Sequence, residues 1–267
     1  MLKDITLGQY FPGNTIVHRL DPRTKLILTV VFIAALFTAK SYISYGVMLL
    51  TVAACIGLSR INLKSIFKGL KPLVFIIILS GLLNLLYTEG RPIVKFWIFA
   101  VTWEGIRAAV FMILRIMMLI TGTFLLTYTT SPIALTDGME LLMNPLKKVR
   151  VPVHELSMMM SIALRFIPTL IDETDKIINA QKARGADFET GKLTERAKAL
   201  LPLLVPLFVS AFRRADELAT AMECRCYHGG EGRTRMKTLK MEGIDAVALI
   251  LGALLLAGII VLSVYGL

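Results

Sequence analysis

The amino-acid sequence predicts an all-α membrane protein, with about five transmembrane helices and a cytoplasmic domain of about three amphipathic helices. Of its 267 residues, 55% are hydrophobic, and the mean hydropathy of +0.68 is too high for an ordinary soluble domain. Five apolar stretches approach the ~20 residues that a helix needs to cross a bilayer. These stretches are 26–37, 42–58, 72–87, 104–128 and 243–267, of which the first is the shortest.

The distribution of charge predicts the orientation of these helices. Arg60, Lys64, Lys68 and Lys71 follow the second stretch without any acid among them, whereas basic and acidic residues balance in the loop between the third and fourth stretches. Because cytoplasmic loops carry an excess of Lys and Arg, we expect the N-terminus to be cytoplasmic and the C-terminus to lie outside. The net charge of +11 is then an orientation signal and a contact for anionic lipid heads, so no nucleic-acid partner is expected.

This orientation divides the chain into three predicted parts. Residues 1–130 form an N-terminal membrane domain with four transmembrane helices, 131–242 form a cytoplasmic domain, and 243–267 form the final transmembrane helix. The basic residues of the 59–71 loop and those directly before 243 place both segments on the cytoplasmic side.

Three helices are predicted in the cytoplasmic domain. The first begins at Pro132 and runs to about Lys148, the second follows a Val-Pro break and ends before Gly185, and the third begins at the N-cap residue Thr194. The third helix contains an apolar run over 200–212, which charged residues cut short of a membrane span. We therefore expect this helix to lie at the membrane interface.

Two arginines end the second and third of these helices in the same sequence context. Small residues flank both of them: Ala183 and Gly185 lie beside Arg184, and Cys224 and Cys226 lie beside Arg225. An arginine with so little bulk around it can insert its guanidinium into a groove of a partner and bind carbonyls or a carboxylate there. A single arginine at a helix end commonly does no more than stabilise the negative C-terminal end of its own helix dipole. Two of them suggest docking points for a two-subunit motor.

The absence of the common catalytic and nucleotide-binding motifs argues against most enzymatic functions. No phosphate-binding loop of the Gly-x-x-x-x-Gly-Lys-Ser/Thr type occurs, and no catalytic triad or zinc-type spacing stands out. Cys224, Cys226 and His228 would make at most a partial metal site. We therefore expect a non-enzymatic protein without a cofactor or metal of its own.

Arg115 lies inside the fourth apolar stretch, where a charge is costly and faces protein or water. A functional role and a structural role, in which it bonds neighbouring helices, are equally compatible with this position. Asn84 in the third stretch is a candidate partner.

The chain resembles the transmembrane T component of energy-coupling factor (ECF) transporters, which are importers of vitamins and metal ions in the ABC class. The resemblance extends over nearly the whole length. It rests on the two arginine endings and on five short motifs at 20–25, 102–105, 130–132, 144–146 and 165–168.

The resemblance implies that the chain lies in the plasma membrane of a prokaryote. It also implies that 183–185 and 224–226 end two coupling helices, each docked into one of two cytoplasmic ABC ATPase subunits. ATP hydrolysis by these partners would reorient a separate substrate-binding membrane subunit, the S component. We expect the apolar faces of the cytoplasmic helices to form the platform for that subunit. The platform prediction names Met159, Phe166, Leu203 and Phe208.

One position departs from the family pattern. The family commonly has Gly after the second arginine, where this chain has Cys226, and cysteine tolerates a positive φ poorly. The third helix is therefore expected to continue toward Gly229. We expect a T component shared among several substrate binders. The alternatives are a dedicated cobalt or nickel T component, a secondary transporter and a membrane-bound enzyme.

Overall fold

The computed structural model describes residues 10–88, 92–96, 99–186, 193–230 and 238–265, except for the side chains of 92–101 and 193–200. Two compact units are distinguished. The membrane unit comprises Gly8–Leu141 and Leu239–Leu267, and the coupling unit comprises Leu142–Thr238. One boundary between the two units thus follows Leu141, and the other follows Thr238.

Helices make up almost all of the described membrane unit. In chain order they are α1 (Ile16–Arg19), α2 (Pro22–Thr38), α3 (Tyr42–Ser59), α4 (Leu63–Leu70), α5 (Val74–Tyr87), α6 (Trp103–Thr129), α7 (Pro132–Met143) and α10 (Gly243–Tyr265). A 3-10 turn over Lys71–Leu73 joins α4 to α5. The antiparallel strands β1 (Pro92–Phe96) and β2 (Phe99–Thr102) precede α6. The predicted all-α membrane fold is confirmed, with one short β-hairpin before α6.

Four of the described helical segments are long and apolar enough to cross a membrane: α3, α4 continued into α5, α6 and α10. The first predicted span forms α2, whose 17 residues extend about 26 Å, a few ångströms less than the hydrocarbon core. Helices α2, α3, α6 and α10 contribute side chains to one buried cluster, including Leu36, Met48, Met118 and Ile259.

A buried charged cluster connects helix ends within the membrane unit. The carboxylate of Asp245, 2% exposed, accepts hydrogen bonds from the backbone N–H groups of Asp21 (2.8 Å) and Glu242 (2.8 Å). The guanidinium of Arg23 donates to Asp21 Oδ2 at 3.0 Å and to the carbonyl of Leu239 at 3.1 Å. The cluster therefore holds the beginnings of α2 and α10 together.

Lys25 connects the start of α2 to the end of α6. Its Nζ donates to the carbonyl of Thr129 at 2.9 Å, so a cation satisfies one of the last carbonyls of α6. The beginnings of α2 and α10 and the end of α6 thus lie on the same side of the membrane unit.

Arg115 has a structural role in this arrangement. Its Nε donates to the hydroxyl of Tyr45 at 2.9 Å, and its Nη2 donates to the carbonyl of Ala39 at 3.3 Å, just beyond α2. The predicted partnership with Asn84 is wrong, because the Asn84 amide donates to the Ser80 carbonyl of its own helix.

The coupling unit contains two long helices, α8 (Val153–Ala183) and α9 (Leu193–Glu223), preceded by a 3-10 segment over Asn144–Val149. Helix α9 begins at Leu193, so Thr194 lies in its first turn and the predicted N-cap at Thr194 is wrong. Pro168 lies inside α8, and Pro202 and Pro206 lie inside α9. Each proline removes one backbone donor from its helix.

Candidate coupling-helix ends and apolar platform

Helix α8 ends in a Schellman motif that contains Arg184. Gly185 adopts a φ of +88°, a left-handed conformation that glycine accepts without a steric penalty. The N–H of Gly185 donates to Lys182 O at 3.0 Å, and the N–H of Ala186 donates to Gln181 O at 3.0 Å. This pair of bonds defines the motif and makes Arg184 the C-cap residue.

Helix α9 ends in the same motif, although a cysteine occupies the left-handed position. Cys226 has a φ of +54°. Its N–H donates to Glu223 O at 2.9 Å, and the N–H of Tyr227 donates to Met222 O at 3.1 Å. Arg225 therefore occupies the position that Arg184 occupies in α8. The predicted continuation toward Gly229 is wrong, because the two Schellman bonds end the helix even without glycine.

The guanidinium groups at both ends are accessible. Arg184 and Arg225 are exposed, as are Ala183, Gly185, Cys224 and Cys226. Within the described part of the chain, neither arginine forms a side-chain hydrogen bond or an ion pair. Each ending therefore presents a permanent positive charge beside the last carbonyls of a helix.

Helices α8 and α9 run antiparallel. Near the start of α8, the sulfur of Met158 accepts a hydrogen bond from the hydroxyl of Tyr227 at 3.1 Å. Further along α8, Glu173 accepts a hydrogen bond from the Ser210 hydroxyl and pairs with the Arg214 guanidinium at 2.9 Å. Residue numbers thus rise along α8 as they fall along α9, which places Arg184 and Arg225 at opposite ends of the pair. Their separation along the pair is on the order of 35 Å, at 1.5 Å per residue.

The contacts of Glu173 also change its acidity. The hydrogen bond from Ser210 lowers the pKa of the Glu173 carboxyl most, and the charge of Arg214 lowers this pKa further, so that it lies below its ordinary value. The carboxylate is therefore ionised at neutral pH, as the ion pair with Arg214 requires.

Three of the four predicted platform residues are accessible. Met159 (56%) and Phe208 (61%) are exposed and Phe166 is half-buried, whereas Leu203 is only 6% exposed and cannot itself contact a partner. Further exposed apolar residues recur on α9 at the three- and four-residue spacing of one helix face: Leu201, Leu204, Val205, Val209 and Phe212. That spacing was visible in the sequence, and it would have found this wider face.

Two comparisons with known proteins bear on this arrangement. Residues 13–236 match a family model described as the cobalt transport protein CbiQ. A Thermosediminibacter oceani protein named energy-coupling factor transporter transmembrane protein EcfT is 55% identical over 257 residues, covering 96% of this chain and 97% of its own.

Two further organisms have proteins of the same name with similar identity. The EcfT protein of Heliobacterium modesticaldum is 56% identical over 92% of both chains. That of Bacillus subtilis is 50% identical over 94% of this chain and 95% of its own. These names describe transmembrane components of a transporter, consistent with the expectation of a non-catalytic protein. The chain belongs to the family of transmembrane T components of energy-coupling factor transporters.

Proposed function

We propose that this chain links ATP hydrolysis by two cytoplasmic ATPase subunits to the reorientation of a substrate-binding membrane subunit. The observation that carries the proposal is the pair of matching helix ends. Arg184 and Arg225 share one C-cap geometry, are exposed, and lie at opposite ends of an antiparallel pair. Two equivalent anchors at two separate points suit a motor with two subunits. When the two ATPase subunits close on binding ATP, they would then pull on both ends of the α8–α9 pair.

Each arginine is expected to insert into a groove of its ATPase partner. A guanidinium that enters a partly desolvated groove makes several charge-assisted hydrogen bonds. Its loss leaves the partner's acceptors buried and unpaired, which typically costs ~2–4 kcal/mol. If each arginine served only its own helix, the loss would be ~0.3–1 kcal/mol and would not affect binding.

The test replaces each arginine and measures both docking and transport. We expect Arg184→Ala and Arg225→Ala each to weaken co-purification of the ATPases or to uncouple hydrolysis from uptake, and the double variant to abolish transport nearly completely. Lysine should rescue poorly, because it replaces a planar fork with a point charge. Arg213→Ala, an exposed arginine in the middle of α9, is the matched control. A double alanine variant that retains both ATPases and transports at a near-normal rate would refute the coupling role.

We further propose that the exposed apolar face of α8 and α9 binds the substrate-binding subunit. Leu156, Met159 and Met160 on α8 accompany the exposed α9 residues, and these side chains are too accessible for helices in water alone. Met159→Glu together with Phe208→Glu should release the substrate-binding subunit while both ATPases stay bound. Leu203→Ala serves as a comparison, since this buried side chain should affect stability rather than docking. Release of the ATPases before the substrate-binding subunit would show that the platform lies elsewhere.

The orientation of the chain is also a proposal. The basic 59–71 loop supports a cytoplasmic N-terminus and an outside C-terminus. In a chain without its native cysteines, a single cysteine at Glu89, which lies outside the described residues, should react with an impermeant reagent added to intact cells. A cysteine at Ser65 should not react. The opposite labelling pattern would invert the topology.

The substrate-binding subunits that co-purify with this chain distinguish a shared T component from one dedicated to a single substrate. The relatives' names carry no substrate, which favours a T component shared among several substrate binders. The description of the family model as a cobalt transport protein favours a dedicated metal-ion importer. Mass spectrometry of the complex purified from its own membrane distinguishes them, because a shared component co-purifies with several different substrate-binding subunits.

A further inference from the structure

An open groove lies in the membrane unit between the α4–α5 segment and α6. It has a volume of about 430 Å³ and is lined by Phe67, Leu70, Lys71, Val74, Ile77 and Met117. Five of these six residues are apolar, and Lys71 is the one charged residue that lines the groove. The volume falls within the ~300–1,000 Å³ of typical small-molecule sites.

The groove wall continues along one face of a helical segment that is long and apolar enough to cross a membrane. Phe67, Leu70, Lys71, Val74 and Ile77 follow one another at intervals of one or three residues, as on one side of a helix. At 1.5 Å per residue, Val74 and Ile77 lie roughly 5 and 9 Å deeper along the segment than Lys71. The groove therefore runs from a cation at its mouth toward the hydrocarbon core.

Two more lysines lie beside Lys71. Lys64 and Lys68 precede it at i, i+4 and i+7, so the three ammonium groups form a stripe along the edge of the groove. All three are exposed. The sequence contains no Asp or Glu from Pro22 through Thr88, and none of the three lysines has an ion-pair partner in the described ranges.

The short helix α4 is held in place independently of the lysines. Ile66 and Leu70 are buried, and the hydroxyl of Tyr128 donates to the Ser65 carbonyl at 3.3 Å. At Gly69, a Cβ would meet the ring of Phe124 at 2.5 Å, so α4 approaches α6 closely. The lysine stripe and the groove are thus fixed relative to each other by apolar packing, and the lysines remain available to a ligand.

We propose that this groove binds an anionic glycerophospholipid of the surrounding bilayer. The phosphodiester would lie against Lys64, Lys68 and Lys71 at headgroup level, and one acyl chain would follow the apolar wall formed by Phe67, Val74 and Ile77. The apolar wall accounts for binding of the acyl chain. The basic stripe at the mouth of the groove, which has no acidic neighbour, accounts for the preference for a negative headgroup. This inference does not depend on the coupling role of the arginines.

The test places a fluorescent reporter in the groove of the full-length chain. Trp97 and Trp103 are replaced by Phe, and Phe67→Trp provides a single indole. Quenching by phosphatidylglycerol with brominated acyl chains is compared with quenching by brominated phosphatidylcholine in mixed bilayers. We expect the anionic lipid to be preferred, and the preference to fall about fivefold for each lysine changed to alanine.

Three controls separate a site from general attraction to an anionic surface. The triple change Lys147→Ala, Lys148→Ala and Arg150→Ala removes the same charge from the exposed 3-10 region and should leave the preference intact. The triple Lys→Arg change at 64, 68 and 71 should also preserve it. An indole introduced by Ile76→Trp, 54% exposed on another face of the same segment, should show no preference.

Native mass spectrometry of the unmodified chain provides a second measurement, in which phosphatidylglycerol should remain bound in preference to phosphatidylcholine. The proposal is overturned by equal quenching by the two lipids, or by a preference that survives the triple lysine-to-alanine change. It is also overturned if purified partner subunits protect the indole at position 67 from both lipids, because the groove then belongs to a protein interface.

Discussion

The buried cluster at the start of α2 and α10 in the membrane unit and the two arginine ends in the coupling unit use charged side chains in opposite ways. In the membrane unit, Asp21 and Asp245 are almost completely buried and accept hydrogen bonds from backbone or arginine groups. In the coupling unit, Arg184 and Arg225 are exposed and have no partner among the described residues. The first arrangement stabilises the fold of this chain, whereas the second leaves charge available to another protein. Stability and coupling are therefore expected to be separable by mutation.

The largest expected effect on stability is at Asp245. Asp245→Ala leaves the backbone N–H groups of Asp21 and Glu242 without their acceptor in a buried site, so we expect a loss of about 3 kcal/mol in the free energy of unfolding. The measurement is thermal unfolding of the detergent-solubilised chain followed by circular dichroism. Arg184→Ala is the contrast and should cost less than ~1 kcal/mol. Equal destabilisation by the two changes would contradict the comparison between the units.

A smaller effect is expected where the two helix ends differ. Gly185→Ala places a Cβ at a φ of +88° and should destabilise the α8 ending by ~1–2 kcal/mol. Cys226→Gly relieves the same strain at α9, but the gain is reduced by the greater freedom of glycine in the unfolded chain, so we expect stabilisation of under ~1 kcal/mol. Amide exchange at Ala186 and Tyr227 measures both. If the two substitutions both stabilised or both destabilised their helix ends, the two motifs would not be equivalent.

The smallest expected effect concerns the Glu173 contact between α8 and α9. Glu173→Gln should cost at most ~1 kcal/mol, because the side chains of Glu173 and Arg214 are 23% and 33% exposed. The lowered pKa of Glu173 means that the ion pair stabilises the fold fully above the ordinary Glu pKa, near ~4.3, and that this contribution is lost as the pH falls through the lower native value.

Unfolding measured at a series of pH values checks this sign. The difference between wild type and Glu173→Gln should be constant near neutral pH and should shrink below about pH 4. A difference that grows as the pH falls would contradict the assigned pKa direction. Glu217→Gln, which removes the charge of an exposed acid elsewhere on α9, is the control.

The sequence predicted the parts of this fold that depend on local pattern. Hydropathy located the long apolar helices, and the paired arginines located the C-terminal ends of α8 and α9, because periodicity and flanking residues are local signals. The bond between Asp21 and Asp245 joins residues 224 positions apart, so no local pattern could reveal it. The partner of Arg115 was misassigned for the same reason, since Tyr45 is 70 residues away.

The remaining differences come from tertiary context that overrides local preference. Cys226 adopts a left-handed conformation that cysteine disfavours, and the two Schellman hydrogen bonds compensate for that preference. The short β1–β2 hairpin was not predicted, because hydropathy locates only stretches long enough to cross a membrane. Leu203 was assigned to the platform from its apolar character alone, and only the structure shows that it faces inward.

The prolines of α8 and α9 have a mechanical consequence. Pro168 removes one backbone hydrogen bond from α8, whereas Pro202 and Pro206 remove two from successive turns of α9. A helix that lacks neighbouring backbone bonds bends at lower energetic cost. The two arms of the pair are therefore unequal in stiffness, and a load applied at both ends deforms α9 before α8. Under the coupling role proposed above, motion applied at Arg184 and Arg225 would therefore bend α9, which carries most of the exposed apolar face, more readily than α8.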